Sequence, residues 1–191
     1  RPDLKVNTLD ELLALAKAKP LSYATWGIGS GPHLTTEHLL QRNQVQMSHV
    51  PYQGVSPIAT DLMNGVLQVG WMDASTAIGH VQSGKLRALT VSGPDRMPQF
   101  PQTTTMREQG HAFDTTSWYG VFAPAKTSPA IIQRVNAAVV ASVKSPEFRA
   151  RLTSLNMPVS PTPDAAGFTR TVEQDLKVWG DIARKLGFTP T

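Results

Sequence analysis

Three times before residue 80, a short run of β-branched and aromatic residues passes through a turn of glycine, serine or aspartate into a helical pattern. The runs are "LSYATWGIGSGPHLTTEHLL", "HVPYQGVSPIATDLM" and "VLQVGWMDASTAIGH". Strands separated by helices imply right-handed crossovers, hence an α/β fold with a mainly parallel sheet flanked by helices. In such a sheet every strand-to-helix turn leaves from a carboxyl end, so the three turns should converge on one cleft.

The flanking segments fill in this plan. In "TLDELLALAKAKP" Thr8 and Glu11 have capping-box spacing, Leu9, Leu12, Leu13 and Ala16 share one face, and Lys17 and Lys19 precede the stop at Pro20. The pattern then predicts a strand over 21–25, a helix over 32–41, a strand over 45–50 and a helix over 57–63. A buried strand "VLQVGWM" follows, then a short helix with Ser75 as its cap and Gly84 as its stop, then a strand "LRALTV". The prolines of "GPDRMPQFPQTTT" indicate a surface loop, followed by a short helix at 106–109 and a further strand over 115–124. Beyond it the pattern is helical, through "SPAIIQRVNAAVVASVKS", "SPEFRARLTSLN" and "TPDAAGFTRTVEQDLKVWGDIARKLG". The expected division is therefore an α/β ligand-binding portion, 1–122, and a C-terminal helical segment, 123–191, whose apolar stripes need a partner surface.

Composition excludes several classes of function. No apolar run reaches the length of a membrane helix, so no membrane insertion is expected. The opening "RPDLKV" resembles neither a leader nor a translation start and suggests a trimmed or processed chain. Cysteine is absent, which removes disulfides and thiolate sites. The net charge of +4 is the balance of 18 scattered basic residues against 14 acidic ones, with few aromatics, a poor match to nucleic-acid binding. The five histidines contain no H-E-x-x-H pair, and His33 and His38 point to different helix faces, so neither a metal nor another cofactor is expected.

The first turn carries the clearest chemistry. After Thr25, the sequence "WGIGSGPH" removes side-chain bulk at Gly27, Gly29 and Gly31, offers the Ser30 hydroxyl, and places Pro32 where a helix needs no N–H donor. Backbone N–H groups and a helix N-terminus there suit an anion, although tight turning alone also accounts for the glycines. The spacing departs from both G-x-G-x-x-G and the P-loop, which disfavours nucleotide phosphates. At the second turn Tyr52 and Gly54 stand before a helix, and at the third Asp73 and Ser75 do so, Asp73 reading better as a helix-start residue than as a catalytic carboxylate. Ser30, His33 and Asp73 include the residue types of a hydrolase, but the G-x-S-x-G elbow is missing.

The ordered series "DELLALAKAKP", "GIGSGPHLTTEHL", "HVPYQGVSPIATDLMNGVLQV", "SGKLRALTVSG", "SWYGVFAPAKTSPAIIQRVNAAV" and "SPEFRARLTSLNMPVSPTP" resembles the Bug family, periplasmic receptors of tripartite tricarboxylate transporters. The resemblance implies a non-enzymatic, type II-like periplasmic-binding-protein fold of two α/β domains around a cleft. It implies capture of a small carboxylate for delivery to a membrane permease. On that reading this chain corresponds to the second domain plus the C-terminal helices that would complete the first. The carry-over assigns ligand contact to Gly27, Gly29, Ser30 and His33, with Tyr52 and Gly54 as cleft walls; Thr25, Gly31 and Trp26, the last bulkier than the residues common there, are the turn's further candidate contacts. Met72 stands where the family places an aspartate, and Asp73 follows it with Ser75 nearby. The alternative is a truncated homologue acting as an interaction module, its helical tail forming a homodimer or a domain swap.

Overall fold

A computed structural model describes residues 1–111, 118–155, 157, 159 and 164–188. Contacts divide the chain into two compact units, Arg1–Thr116 with Trp179–Thr191, and Ser117–Val178. These bounds differ from a single division at 122, because the last stretch of chain counts with the first unit.

The first unit is built on a three-stranded parallel sheet in the order β2-β1-β3, with β1 at Ser22–Thr25, β2 at Ser48–Pro51 and β3 at Val69–Gly70. Register pairs Tyr23 with His49 and Val69, and Thr25 with Pro51. Side chains alternate across a strand. Tyr23 accordingly joins a cluster with Leu12, Leu13, Leu21, Leu40 and Val45, whereas Ala24 joins Ile58, Leu62, Leu67 and Leu86. Helices α1 (Leu9–Ala18) and α2 (Gly31–Asn43) supply residues to the first cluster, and α3 (Val55–Asn64) to the second. Each fully buried aliphatic side chain such as Ile58 contributes about 2–3 kcal/mol. A third cluster gathers Leu9, Leu34, Met106 and Ile182, with Trp179 and Phe188 against it.

Local chemistry explains most boundaries. Thr8 caps α1 by accepting from the Glu11 N–H at 3.2 Å, as its spacing predicts. Helix α2 starts at Gly31 and stops at Gln44 in the left-handed region, and α3 closes on Gly65 at φ 83°. The fourth helix, α4 (Ala74–Gln82), is capped by Asp73 and not by Ser75, because Asp73 accepts from the Thr76 N–H at 2.9 Å. Ser75 lies inside the helix and donates to the same carboxylate.

Three expected elements differ. "VLQVGWM" yields only the two residues of β3. "LRALTV" forms no strand: Val91 makes a single parallel bridge to Thr105, and the Leu89 carbonyl accepts from the Gln109 side chain at 2.8 Å. The run thus pairs with the following loop and not with the sheet. Residues 106–110 form a turn in place of a helix. Glu108 accepts from the Thr105 N–H at 2.8 Å and Thr105 Oγ1 accepts from the Glu108 N–H at 3.1 Å, which closes the turn reciprocally.

The second unit holds α5 (Pro129–Lys144), α6 (Pro146–Ser154) and most of α7 (Ala165–Lys185). Ser145 joins the first two by capping α6 through the Phe148 N–H. Of the strand expected over 115–124, residues 115–117 lie outside the described residues, and from Trp118 onward no ladder forms. Instead the Trp118 ring lies 5.0 Å from Phe168 and 6.2 Å from Phe122, and its indole N–H donates to Asp175 at 2.5 Å. The start of the "TPDAAG" segment also falls outside the described residues, and Asp164 accepts from the Gly167 N–H at the head of α7.

Candidate functional site

All three strand-to-helix turns leave the carboxyl end of the sheet. The Tyr52 N–H donates to the Thr25 carbonyl at 2.8 Å and the Trp71 N–H to the Ala24 carbonyl at 3.0 Å, so the chain departs each strand at the same level. The expected convergence of the turns is therefore present in this unit.

The first turn, Trp26–Ser30, holds its shape through its own bonds. Gly27 sits at φ 143° and Gly29 at φ 76°, conformations that favour glycine, and a Cβ at either would meet open space. Ser30 caps α2 by accepting from the His33 N–H, while its hydroxyl donates to the Gly27 carbonyl at 2.8 Å. Thr25 is fully buried, and its hydroxyl lies 3.1 Å from the Gly27 carbonyl and 2.8 Å from His49 Nε2. The Gly29 N–H donates to His33 Nδ1 at 3.0 Å. Ser30 N–H donates to the Gly27 carbonyl at 3.3 Å. The turn thus consumes several of the donors expected to face a ligand. Among the described residues, the N–H groups of Ile28 and Gly31 stand outside these bonds, at the positive end of α2.

His33 occupies a different place from the one its position in the turn suggests. It is buried beneath the turn, with its ring 3.9 Å from that of His49 in a near-parallel stack, and Phe188 edge-on at 5.1 Å. Tyr23 stacks on His49 at 5.0 Å and donates its hydroxyl to Glu37 at 2.5 Å. Burial lowers the His33 imidazole below its ordinary range, with Glu37 opposing; burial and then His33 lower His49. Burial, reinforced by the bond to Glu37, raises the Tyr23 phenol.

The remaining predicted residues divide between walls and caps. Trp26 is half-buried, and Ile28 beside it is 72% exposed. Gly31 makes room for Trp179, since a Cβ there would lie 3.3 Å from the indole. Tyr52 is half-buried against the Ile58 cluster, and its hydroxyl donates to Asp61 at 2.5 Å; that bond, then burial, pushes its pKa up to about 12. Gly54 starts α3 at φ 120°. Burial pushes the Asp73 carboxyl up, but hydrogen bonds from Ser75 and Thr76 outweigh it and hold the group below its usual range. Met72 packs with the Ile58 cluster.

Ser30 and His33 are not paired as nucleophile and base: the Ser30 hydroxyl donates to the Gly27 carbonyl, and His33 Nδ1 accepts from the Gly29 N–H. Among the described residues no cluster of three or more acidic or imidazole side chains is arranged to hold a metal, and no helix is long and apolar enough to cross a membrane. Sequence reasoning missed His49, Tyr23 and Glu37. The i, i+4 spacing of His33 and Glu37 was a usable signal; the approach of His49 depends on strand register and was not.

The model of the family described as "Tripartite tricarboxylate transporter family receptor" matches residues 1–188. The chain belongs to this family. It is 33% identical over 194 residues to protein BugT of Bordetella pertussis, an alignment covering 97% of this chain and 58% of BugT. The structure of the periplasmic binding protein BugD superposes with a TM-score of 0.85 at 28% identity, covering 100% of this chain and 65% of that one. MatC from Rhodopseudomonas palustris, solved with bound malate, gives 0.83 at 28% identity, covering 95% and 64%. This receptor-family chain thus spans a little over half of BugT and just under two thirds of the two solved relatives. The fold is that of the periplasmic binding proteins, with the parallel sheet expected from the sequence.

Proposed function

We propose that this chain forms one wall of a solute receptor that binds a small carboxylate in the periplasm, without catalysis, and passes it to a transporter permease. The observation that carries the reading is the first turn. Gly27 and Gly29 leave open space over a helix N-terminus, and the N–H groups of Ile28 and Gly31 stand outside the turn's internal bonds. Malate in MatC, a relative of the same fold, supports the same ligand class. Trp26, Tyr52 and Gly54 form the walls, and Asp73 with Ser75 stiffens the third turn. In the division proposed here, residues 1–122 carry this wall and 123–191 complete a companion domain.

Calorimetric titration with a panel of mono- and dicarboxylates tests the reading. Saturable heat with one class, weakened by Gly29→Ala, supports it, because an alanine at φ 76° would displace the neighbouring N–H groups. Absence of binding, both by this chain and by a longer form containing it, would overturn it.

A second reading, an interaction module, is favoured by the second unit, where Ile131, Val135 and Leu176 are exposed. These residues would seat a second copy of the chain or a companion domain.

A further inference from the structure

The paired imidazoles lie beneath the first turn, where their rings meet each other. His33 belongs to α2 and His49 to β2, and each ring is bonded to a part of the turn or its root. His33 Nδ1 accepts the Gly29 N–H at 3.0 Å, and His49 Nε2 lies 2.8 Å from the Thr25 hydroxyl, which in turn meets the Gly27 carbonyl. We propose that His33, stacked on His49, is a proton-operated latch that holds the glycine turn closed when its ring is neutral and releases it when His33 takes up a proton.

The chemistry is specific to the nitrogen concerned. A neutral imidazole that accepts at Nδ1 carries its proton on Nε2, and an imidazolium accepts at neither nitrogen. Protonation of His33 therefore replaces an attractive N–H···N bond with two opposed N–H groups, and Gly29 must move. Gly29 lies at φ 76° with open space around it, so the turn has somewhere to go.

The surroundings decide that the switch takes one proton. His33 faces His49 from β2, Tyr23 from β1, Phe188 from the chain after α7, and Glu37 one turn along its own helix. Glu37 is the charged group acting on either ring, and it is committed to the Tyr23 hydroxyl. With ring centroids 3.9 Å apart, a second cation would be strongly repelled. Burial lowers both rings, so the latch should operate below the value of about 6.5 expected for a free imidazole. Any effect on ligand capture rests on the carboxylate reading, whereas the latch itself does not.

The test is a pH titration of the isotope-labelled full chain by NMR, without ligand, following the Gly29 amide, the histidine ring nitrogens and the core amides of Leu12 and Ile58. The expected result is a Gly29 transition below pH 6.5 that coincides with His33 protonation, with protection of its amide falling about tenfold while the core signals hold. His33→Gln keeps an acceptor but cannot titrate, and should abolish the transition. His49→Phe keeps the stack and removes the second titrating ring, and the Gly29 transition should persist and still coincide with His33 protonation; it carries the test alone if His33→Gln does not fold. A Gly29 signal indifferent to His33 protonation, a transition that survives His33→Gln, a transition lost in a folded His49→Phe, or a transition that accompanies global unfolding would each overturn the latch.

Discussion

At the scale of single residues, the polar groups under the first turn hold its shape. Thr25 shows this most clearly: it is fully buried, and its hydroxyl connects His49 to the Gly27 carbonyl. Thr25→Val keeps the volume but leaves His49 Nε2 without its partner, while Gly27 keeps its bonds from Ser30, and should cost about 1–3 kcal/mol in urea unfolding, with Thr25→Ser close to the parent protein. A valine variant as stable as the parent would mean the hydroxyl's partners are satisfied by other means. Ser30→Ala removes both a helix cap and the bond to Gly27, and about 1 kcal/mol should be lost. The same residues mark what could be read in the sequence. Thr8 and Glu11, the glycines of the first turn, and Asp73 before its helix were legible because each acts on neighbours within a few positions. His33 was legible as a member of the turn but not as a group beneath it, since its place depends on His49 from another strand.

Among the secondary-structure elements, the same distinction separates helices from strands. Helices α1 and α2 carry their own caps and apolar faces, so their existence follows from local sequence. A strand needs a neighbour, and "LRALTV" has strand-like residues but finds its partners in the Thr104–Gln109 loop. Gly70 is the point where an element's position is least forgiving. A Cβ there would lie 2.6 Å from Ile58 Cγ2 and 3.0 Å from Leu62 Cδ1, both on α3 and both buried. Gly70→Ala should therefore push α3 from the sheet and cost about 2–3 kcal/mol. Its thermal unfolding midpoint would fall accordingly; an unchanged midpoint would mean that α3 can shift without loss.

For the whole molecule, acid should act in two stages. Burial lowers His33 and His49, so the unfolded chain binds more protons than the folded one just below the free imidazole value. Their contribution to stability is complete above about pH 6.5 and diminishes as pH falls, until the folded rings are protonated too. Glu108 titrates lower. The bond from Arg96, followed by that from the Thr105 N–H, holds its pKa down to about 2 from an ordinary 4.5. Its contribution is present above 4.5 and lost as pH falls toward 2. Urea unfolding at a series of pH values should show a decline that starts near 6.5, and a further one below 4.5. In His33→Gln the first decline should shrink while the second stays. The exposed side chains of the second unit provide an independent whole-chain prediction. Ile131 is 55% exposed and Leu176 69%, large apolar side chains open to solvent on helices. The chain should bind an apolar fluorescent dye and increase in apparent mass with concentration. Ile131→Glu with Leu176→Lys should reduce both responses while leaving the thermal midpoint nearly unchanged, because exposed positions carry little packing energy. A dye response indifferent to those two changes would place the sticky surface elsewhere, and leave the second unit's exposed residues without a partner to explain them.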